Sequence, residues 1–245
     1  MDRVTQGLEH IKTSPHYLEV DVAARVDALV LLVEEFGDFI LTFNDHADAF
    51  IDSAGAGNQT LSIVTFLQGL GILTGVSTYT DKARAIVEWV RDDNIPPPLT
   101  ALLVDGTTYA AAGPAPGPCF MTEKRNFDTI GFDGSYGSLS LELMCFYYLL
   151  LPAGVWKTEV LTIIQGMLDY LLLTVDTNPI SPTYGEVWDE EAQGAPHTWT
   201  RVRETEDAEG NHVRIPNSTE YNYCSFAFHI RIGAYVTGTN TEMSD

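Results

Sequence analysis

Ser138-Leu139-Ser140-Leu141-Glu142-Leu143-Met144-Cys145-Phe146-Tyr147-Tyr148-Leu149-Leu150-Leu151 is the stretch on which the fold turns. In its first half Leu139, Leu141 and Leu143 alternate with Ser140 and Glu142, and a period of two places the leucines on one side of a strand. From Met144 to Leu151 the run is apolar at every position, the pattern of a strand covered on both faces. Pro152-Ala153-Gly154 ends it. Helical spacing then sets in from about Trp156 to Leu172, with Val160, Ile163, Ile164, Met167, Leu168 and Leu171 on the buried side. Strand, tight turn and long helix read as one compact unit.

Toward the C-terminus, Asn178-Pro179-Ile180-Ser181-Pro182 closes that unit and a polar stretch follows. It contains a hairpin signal: Thr198 to Glu204, a turn at Ala208-Glu209-Gly210-Asn211, and His212 to Ile215. Tyr221 to Val236 alternates Cys224, Phe226, Phe228, Ile230 and Ile232 with Ser225, Ala227, His229 and Arg231, and reads as a half-buried final strand. Thr237 to Asp245 reads as a frayed tail.

Toward the N-terminus, Phe120 to Gly137 reads as irregular, punctuated by Gly131, Gly134 and Gly137, and Ala110 to Pro118 as a loop or extended arm. Leu99 to Asp105 is a short buried strand. The prolines of Asn94-Ile95-Pro96-Pro97-Pro98 stop a helix over Asp81 to Asp93 that Thr80 can cap. Leu61 to Val76 is apolar but shorter than the ~20 residues of a membrane span, and Gln68, Gly69, Gly71 and Gly75 interrupt it, so it reads as a buried helix or hairpin. Ser53 to Asn58 is a flexible connection, and Val22 to Phe50 a helix with a candidate break at Gly37. The expected fold is α+β, a small mixed and mainly antiparallel sheet flanked by helices. A helical N-terminal extension (1–78) precedes an α/β domain (79–245) with an insertion near 178–216.

The 245 residues carry 34 acidic and 13 basic side chains, a net charge of −21, and lysine occurs only at Lys12, Lys82, Lys124 and Lys157. A phosphate-neutralising surface needs the opposite balance. Solubility, a saline medium, or a channel wall that lets DNA pass without sticking would each suit this acidity. Cys119, Cys145 and Cys224 are odd in number and lack paired spacing, which argues against a disulfide framework or a zinc site. The first residues show no basic stretch followed by an apolar core, so no secretory signal is expected, and Asn58-Gln59-Thr60 and Asn217-Ser218-Thr219 are not expected to carry glycans.

Motifs with chemical content are missing: no Gly-x-Ser-x-Gly elbow, no thiol-protease context, no dinucleotide or Walker spacing. Asp45, Asp48 and Asp52 share roughly one helix face with Asn44 and His46 nearby, yet the segment lacks the glycine and closing glutamate of a calcium loop and reads as a solvated acidic face. Trp188-Asp189-Glu190-Glu191 and Glu204-Thr205-Glu206-Asp207 read as exposed loop charges. Phe146-Tyr147-Tyr148 and Tyr221-Asn222-Tyr223 read as packing aromatics, and His229 as a surface or interface residue. No catalytic, cofactor-binding or metal-ligating residue is assigned, no cofactor is expected, and the chain is read as a non-enzyme.

From Asp81 onward the order of elements resembles the tail-terminator family of tailed viruses. Helix Asp81 to Asp93, Pro96-Pro97-Pro98, strand Leu99 to Asp105, strand Ser138 to Leu151, Pro152, helix Trp156 to Leu172 and strand Tyr221 to Val236 carry the likeness. It implies a structural virion protein, made in the host cytoplasm, that caps the head-proximal end of the tail tube. The implied partners are further copies in a hexameric ring, the tail tube protein, a head-completion or neck protein, and DNA passing through the lumen, with no membrane. Another neck or connector subunit, or a small ligand-binding or metal-dependent enzyme domain, are the alternatives.

Overall fold

The computed structural model describes residues 2–42, 57–94, 100–102, 108–110, 117–126, 129–132, 134–172, 180, 203–206, 212–215 and 231–238. Helices build its core. α1 (Asp2–Lys12) is followed by a 3-10 turn at Pro15–Leu18 and by α2 (Val20–Leu41). α3 (Gly57–Thr74) and α4 (Ser77–Trp89) form one antiparallel pair, and α4 runs on into a π-helical turn at Val90–Asn94. α5 (Gly134–Leu150) and α6 (Val155–Leu172) form a second pair, and residues 231–237 form a last helix, α7.

The expected α+β sheet is therefore corrected to a helical core. Ser138 to Leu151 lies in α5 instead of a strand. The stretch contains no β-branched residue and is rich in leucine with methionine and glutamate, residues that lose little freedom in a helix. Its length also exceeds that of a usual strand. The alternation misled because the helix is covered almost all round. Leu141, Met144, Cys145 and Tyr147 are buried, and so are Ser138, Ser140 and Glu142, which the alternation assigned to a wet face.

Strands among the described residues occur as three separate antiparallel ladders that do not join into one sheet. β1 (Thr100–Leu102) pairs with β2 (Thr108–Ala110), β3 (Thr122–Asn126) with β4 (Thr129–Phe132), and β5 (Arg203–Glu206) with β6 (His212–Ile215). β1 falls within the strand expected over Leu99 to Asp105. β5 and β6 form the expected hairpin with its first strand shifted toward the turn, whereas β3 and β4 occupy a stretch read as irregular. Pro118, read as the end of an arm, starts a buried 3-10 turn, Pro118–Met121, that packs in the core. The final strand is corrected in part: 231–236 are helical, and Gly233 and Ala234 are buried, with Gly233 close to the side chains of Leu141 and Leu168. Tyr221 to Ile230 lie outside the described residues.

α3, placed by sequence in the N-terminal extension, packs at the centre of the core against α4 and α5. Leu61, Val64, Leu67 and Leu70 are fully buried, and the Thr65 hydroxyl donates to Leu61 O at 2.6 Å while lying 3.3 Å from Leu143 O of α5. Gly75, with φ +73°, ends α3 in the left-handed conformation that glycine adopts without steric cost. α4 consequently starts earlier than expected, and Thr80 does not cap it; its hydroxyl donates to Ser77 O at 2.8 Å. α6 agrees with expectation, since all six residues placed on its buried side are in the core.

α2 runs unbroken through Gly37. A side chain there would meet Leu70 and would lie 3.0 Å from the Tyr79 ring, so the glycine serves close helix packing. A smaller apolar cluster of Leu8, Val26 and Val30 joins α1 to α2. The Tyr79 hydroxyl donates to Asp38 Oδ1 at 2.6 Å and ties α4 to α2. No helix among the described residues is long and apolar enough to cross a membrane.

Candidate functional site

α2 buries one side and leaves a second apolar stripe open. Val26, Val30 and Ile40 face inward. On the flank, Leu29, Leu32, Phe36 and Phe39 are spaced three, four and three residues apart, so they form one continuous seam along the helix. Leu29, Leu32 and Phe39 are 48%, 61% and 56% exposed. Phe36 anchors the seam, with its ring edge-on to Phe66 at 5.4 Å and 6.5 Å from Phe39. Five acidic residues, Asp21, Asp27, Glu34, Glu35 and Asp38, share this helix with a single basic one, Arg25. The arrangement suits helix-to-helix docking and offers no reactive group.

A second feature lies where α4 meets the turn between α5 and α6. Trp156 is at its centre: its indole N–H donates to the Tyr147 hydroxyl at 2.9 Å, and the guanidinium carbons of Arg84 and Arg91 lie 4.7 and 5.6 Å from its ring centroid. Arg91 reaches across to α6, donating to Glu159 Oε2 at 2.7 Å and to Asp92 Oδ1 at 2.8 Å. That bond raises the Arg91 pKa and lowers that of Asp92. Lys157 donates to Leu151 O at 2.8 Å and sits 4.6 Å from the Tyr148 ring centroid, fixing the turn. An open groove of about 690 Å³ runs alongside.

Cys145, Tyr147 and Tyr79 are held in their neutral forms. Burial, helped by the Glu142 carboxylate, pushes the Cys145 thiol up to about 12, which removes its nucleophilicity near neutral pH. Burial likewise pushes Tyr147 up to about 12, although the bond from Trp156 acts the other way. Burial and then the bond to Asp38 raise Tyr79.

The sequence assigned no catalytic or metal-binding residue, and among the described residues there is no cluster of His, Cys, Asp or Glu able to hold a metal ion. The Asp45, Asp48 and Asp52 cluster, Trp188 to Glu191, Tyr221 to Tyr223, Cys224 and His229 lie outside the described residues. Glu204 and Glu206 lie on β5. Tyr147 of the Phe146-Tyr147-Tyr148 group is core, as expected, and Cys119 and Cys145 are buried. Neither the α2 seam nor the Trp156 cluster was singled out from sequence. The seam was legible, since Leu29, Leu32, Phe36 and Phe39 exceed what one buried face requires; the cluster joins residues far apart in the chain and left no local signal. No family model, no curated protein and no solved structure matches the chain.

Proposed function

We propose that this protein works by association, as a non-enzymatic subunit of a larger assembly that docks through the apolar seam of α2. The observation that carries the reading is the spacing and exposure of Leu29, Leu32 and Phe39, a helix face prepared for burial against another helix. The occupant is a second copy of the chain, bound head to tail. Pairing α2 with α2 would oppose two strongly acidic helices, so the seam meets a different surface of the neighbour, a heterologous contact that closes into a ring when the rotation allows.

A tail-terminator or neck ring remains a narrower form of this proposal. Its support is now the net charge and the seam alone, because Ser138 to Leu151 and residues 231–236, which carried the resemblance, are helical. An acidic lumen of such a ring would let DNA slide through without adhering.

Absolute molar mass by light scattering, from low to multimolar salt, tests the reading. A discrete mass of about six subunits that strengthens as salt screens acidic repulsion, and is lost in Leu32→Asp, is the expected result. A monomer at every salt concentration, or a ring indifferent to Leu32→Asp, defeats it.

A further inference from the structure

Head-to-tail docking needs a receiving surface, and the groove beside Trp156 has the properties of one. Its walls come from α3, α4 and the turn between α5 and α6, and Ile72, Leu150, Leu151, Pro152 and Val155 make them largely apolar. Val155 is 77% exposed and Ile72 is also open to solvent, so the groove, like the α2 seam, is an apolar surface left uncovered. The fold itself fixes its shape: Trp156 is pinned by the Tyr147 hydroxyl and by Arg84 over its ring, and Lys157 holds the turn through Leu151 O.

Seam and groove belong to different sides of the α3–α4 pair. α2 packs through Gly37 on Leu70 of α3 and Tyr79 of α4. The groove is lined by Gln68, Gly71 and Ile72 of α3 and by Thr80, Asp81 and Arg84 of α4, which lie roughly 100–160° round each helix from Leu70 and Tyr79. A copy therefore cannot lay its own α2 in its own groove, and each contact leaves a seam free on one copy and a groove free on the other, the condition for a head-to-tail series. Charge fits the same pairing. α2 holds five acids and one base, whereas α4 holds Asp81 and Glu88 with Lys82 and Arg84, and the first turn of α6 adds Lys157 and no acid. In a chain of 34 acidic and 13 basic residues, this frame repels an acidic helix less than α2 itself would and brings cations to its rim.

We infer that this groove is the surface on which the α2 seam of a neighbouring copy docks, an inference that rests on the seam being a docking surface. Leu29, Leu32 and Phe39 enter as the anchors of a helix laid in an apolar groove, over Ile72, Leu150 and Val155. A volume of about 690 Å³ has room for their side chains.

Complementary defects in the full chain, at the salt concentration where the wild type assembles, test the inference. Leu32→Asp spoils the seam and Val155→Asp the groove. Both positions are exposed, and an acid at the start of α6 suits the helix dipole, so both variants keep the fold, which circular dichroism checks. Each variant alone should be monomeric by light scattering. An equimolar mixture should form pairs and nothing larger, because the Leu32→Asp copy still offers a groove, the Val155→Asp copy still offers a seam, and the joined pair has neither left. A ring of normal mass in Val155→Asp, or a mixture that stays monomeric or grows beyond pairs, overturns the inference and leaves the seam reading standing. Rings in Leu32→Asp, or a wild type monomeric at every salt concentration, overturn both.

Discussion

α5 and α2 are both long, leucine-rich helices, yet one is enclosed and the other is open along a flank. Around α5 stand α3, α6, α7 and the Pro118–Met121 turn, and they cover even Ser138, Ser140 and Glu142. α2 has the core on one side only, and its surplus leucines and Phe39 meet solvent. The difference teaches that apolar content alone assigns no role. Where neighbours surround a helix its side chains stabilise the fold, and where they are missing the same residue types leave an apolar face open to solvent.

The sharpest way to break this contrast is to truncate one leucine in each helix. Leu141→Ala, at a fully buried position of α5, should cost about 2–5 kcal/mol by urea denaturation, whereas Leu32→Ala on α2 should change monomer stability by no more than about 0.5 kcal/mol. Equal losses would mean that α2 is as deeply packed as α5.

Alkali probes the enclosed region next. An unfolded tyrosine loses its proton near its ordinary value of 10.0, while folded Tyr147 holds its own to about 12, and folded Cys145 is raised from 9.0 to about 12. The unfolded chain then binds fewer protons, so stability is complete below about pH 8 and falls as pH rises toward 12, by on the order of 3 kcal/mol for Tyr147 and about 4 kcal/mol for Cys145. Denaturation midpoints across that range check it, and a flat profile would show α5 to be hydrated.

Gly37→Ala tests the inward side of α2. A methyl group there runs into Leu70 and the Tyr79 ring, so a loss of about 1–3 kcal/mol is expected despite the better helix propensity of alanine. A gain in stability would show that α2 can lift away from the core. A smaller loss than at Gly37 is expected for Tyr79→Phe, which removes the bond to Asp38 and should cost about 1 kcal/mol in thermal unfolding.

Much of the helical architecture was legible in sequence, and its failures have a common cause. α2 and α6 each have a polar side, so their 3.6-residue period survives and both read as helices, and for α6 the buried residues could be named. α5 has no such side, and with neighbours nearly all round the sequence records only that every position but Glu142 is apolar or small. The missing β-branched residues and the length of the run were the signals that outweighed the alternation of Leu139, Leu141 and Leu143. At the far end, the alternation predicted a strand running on to Val236, but residues 231–236 are helical, and Gly233 lets α7 approach Leu141 and Leu168, a contact that no local pattern encodes. The same holds for the groove, where Gln68, Arg84 and Trp156 come together only after three helices have packed.

The two helix pairs also set how the chain reaches this state. Only Gly75 and Val76 separate α3 from α4, and four residues separate α5 from α6, so each pair zips up from contacts close in sequence. Joining the pairs is a different event, because Thr65 and Leu143 meet across 78 positions. Closing so long a loop costs entropy before any contact repays it, so this step is the one expected to be slow. Substitutions at Leu61 or Leu141 will therefore retard folding, whereas changes confined to the far side of α6 will chiefly accelerate unfolding.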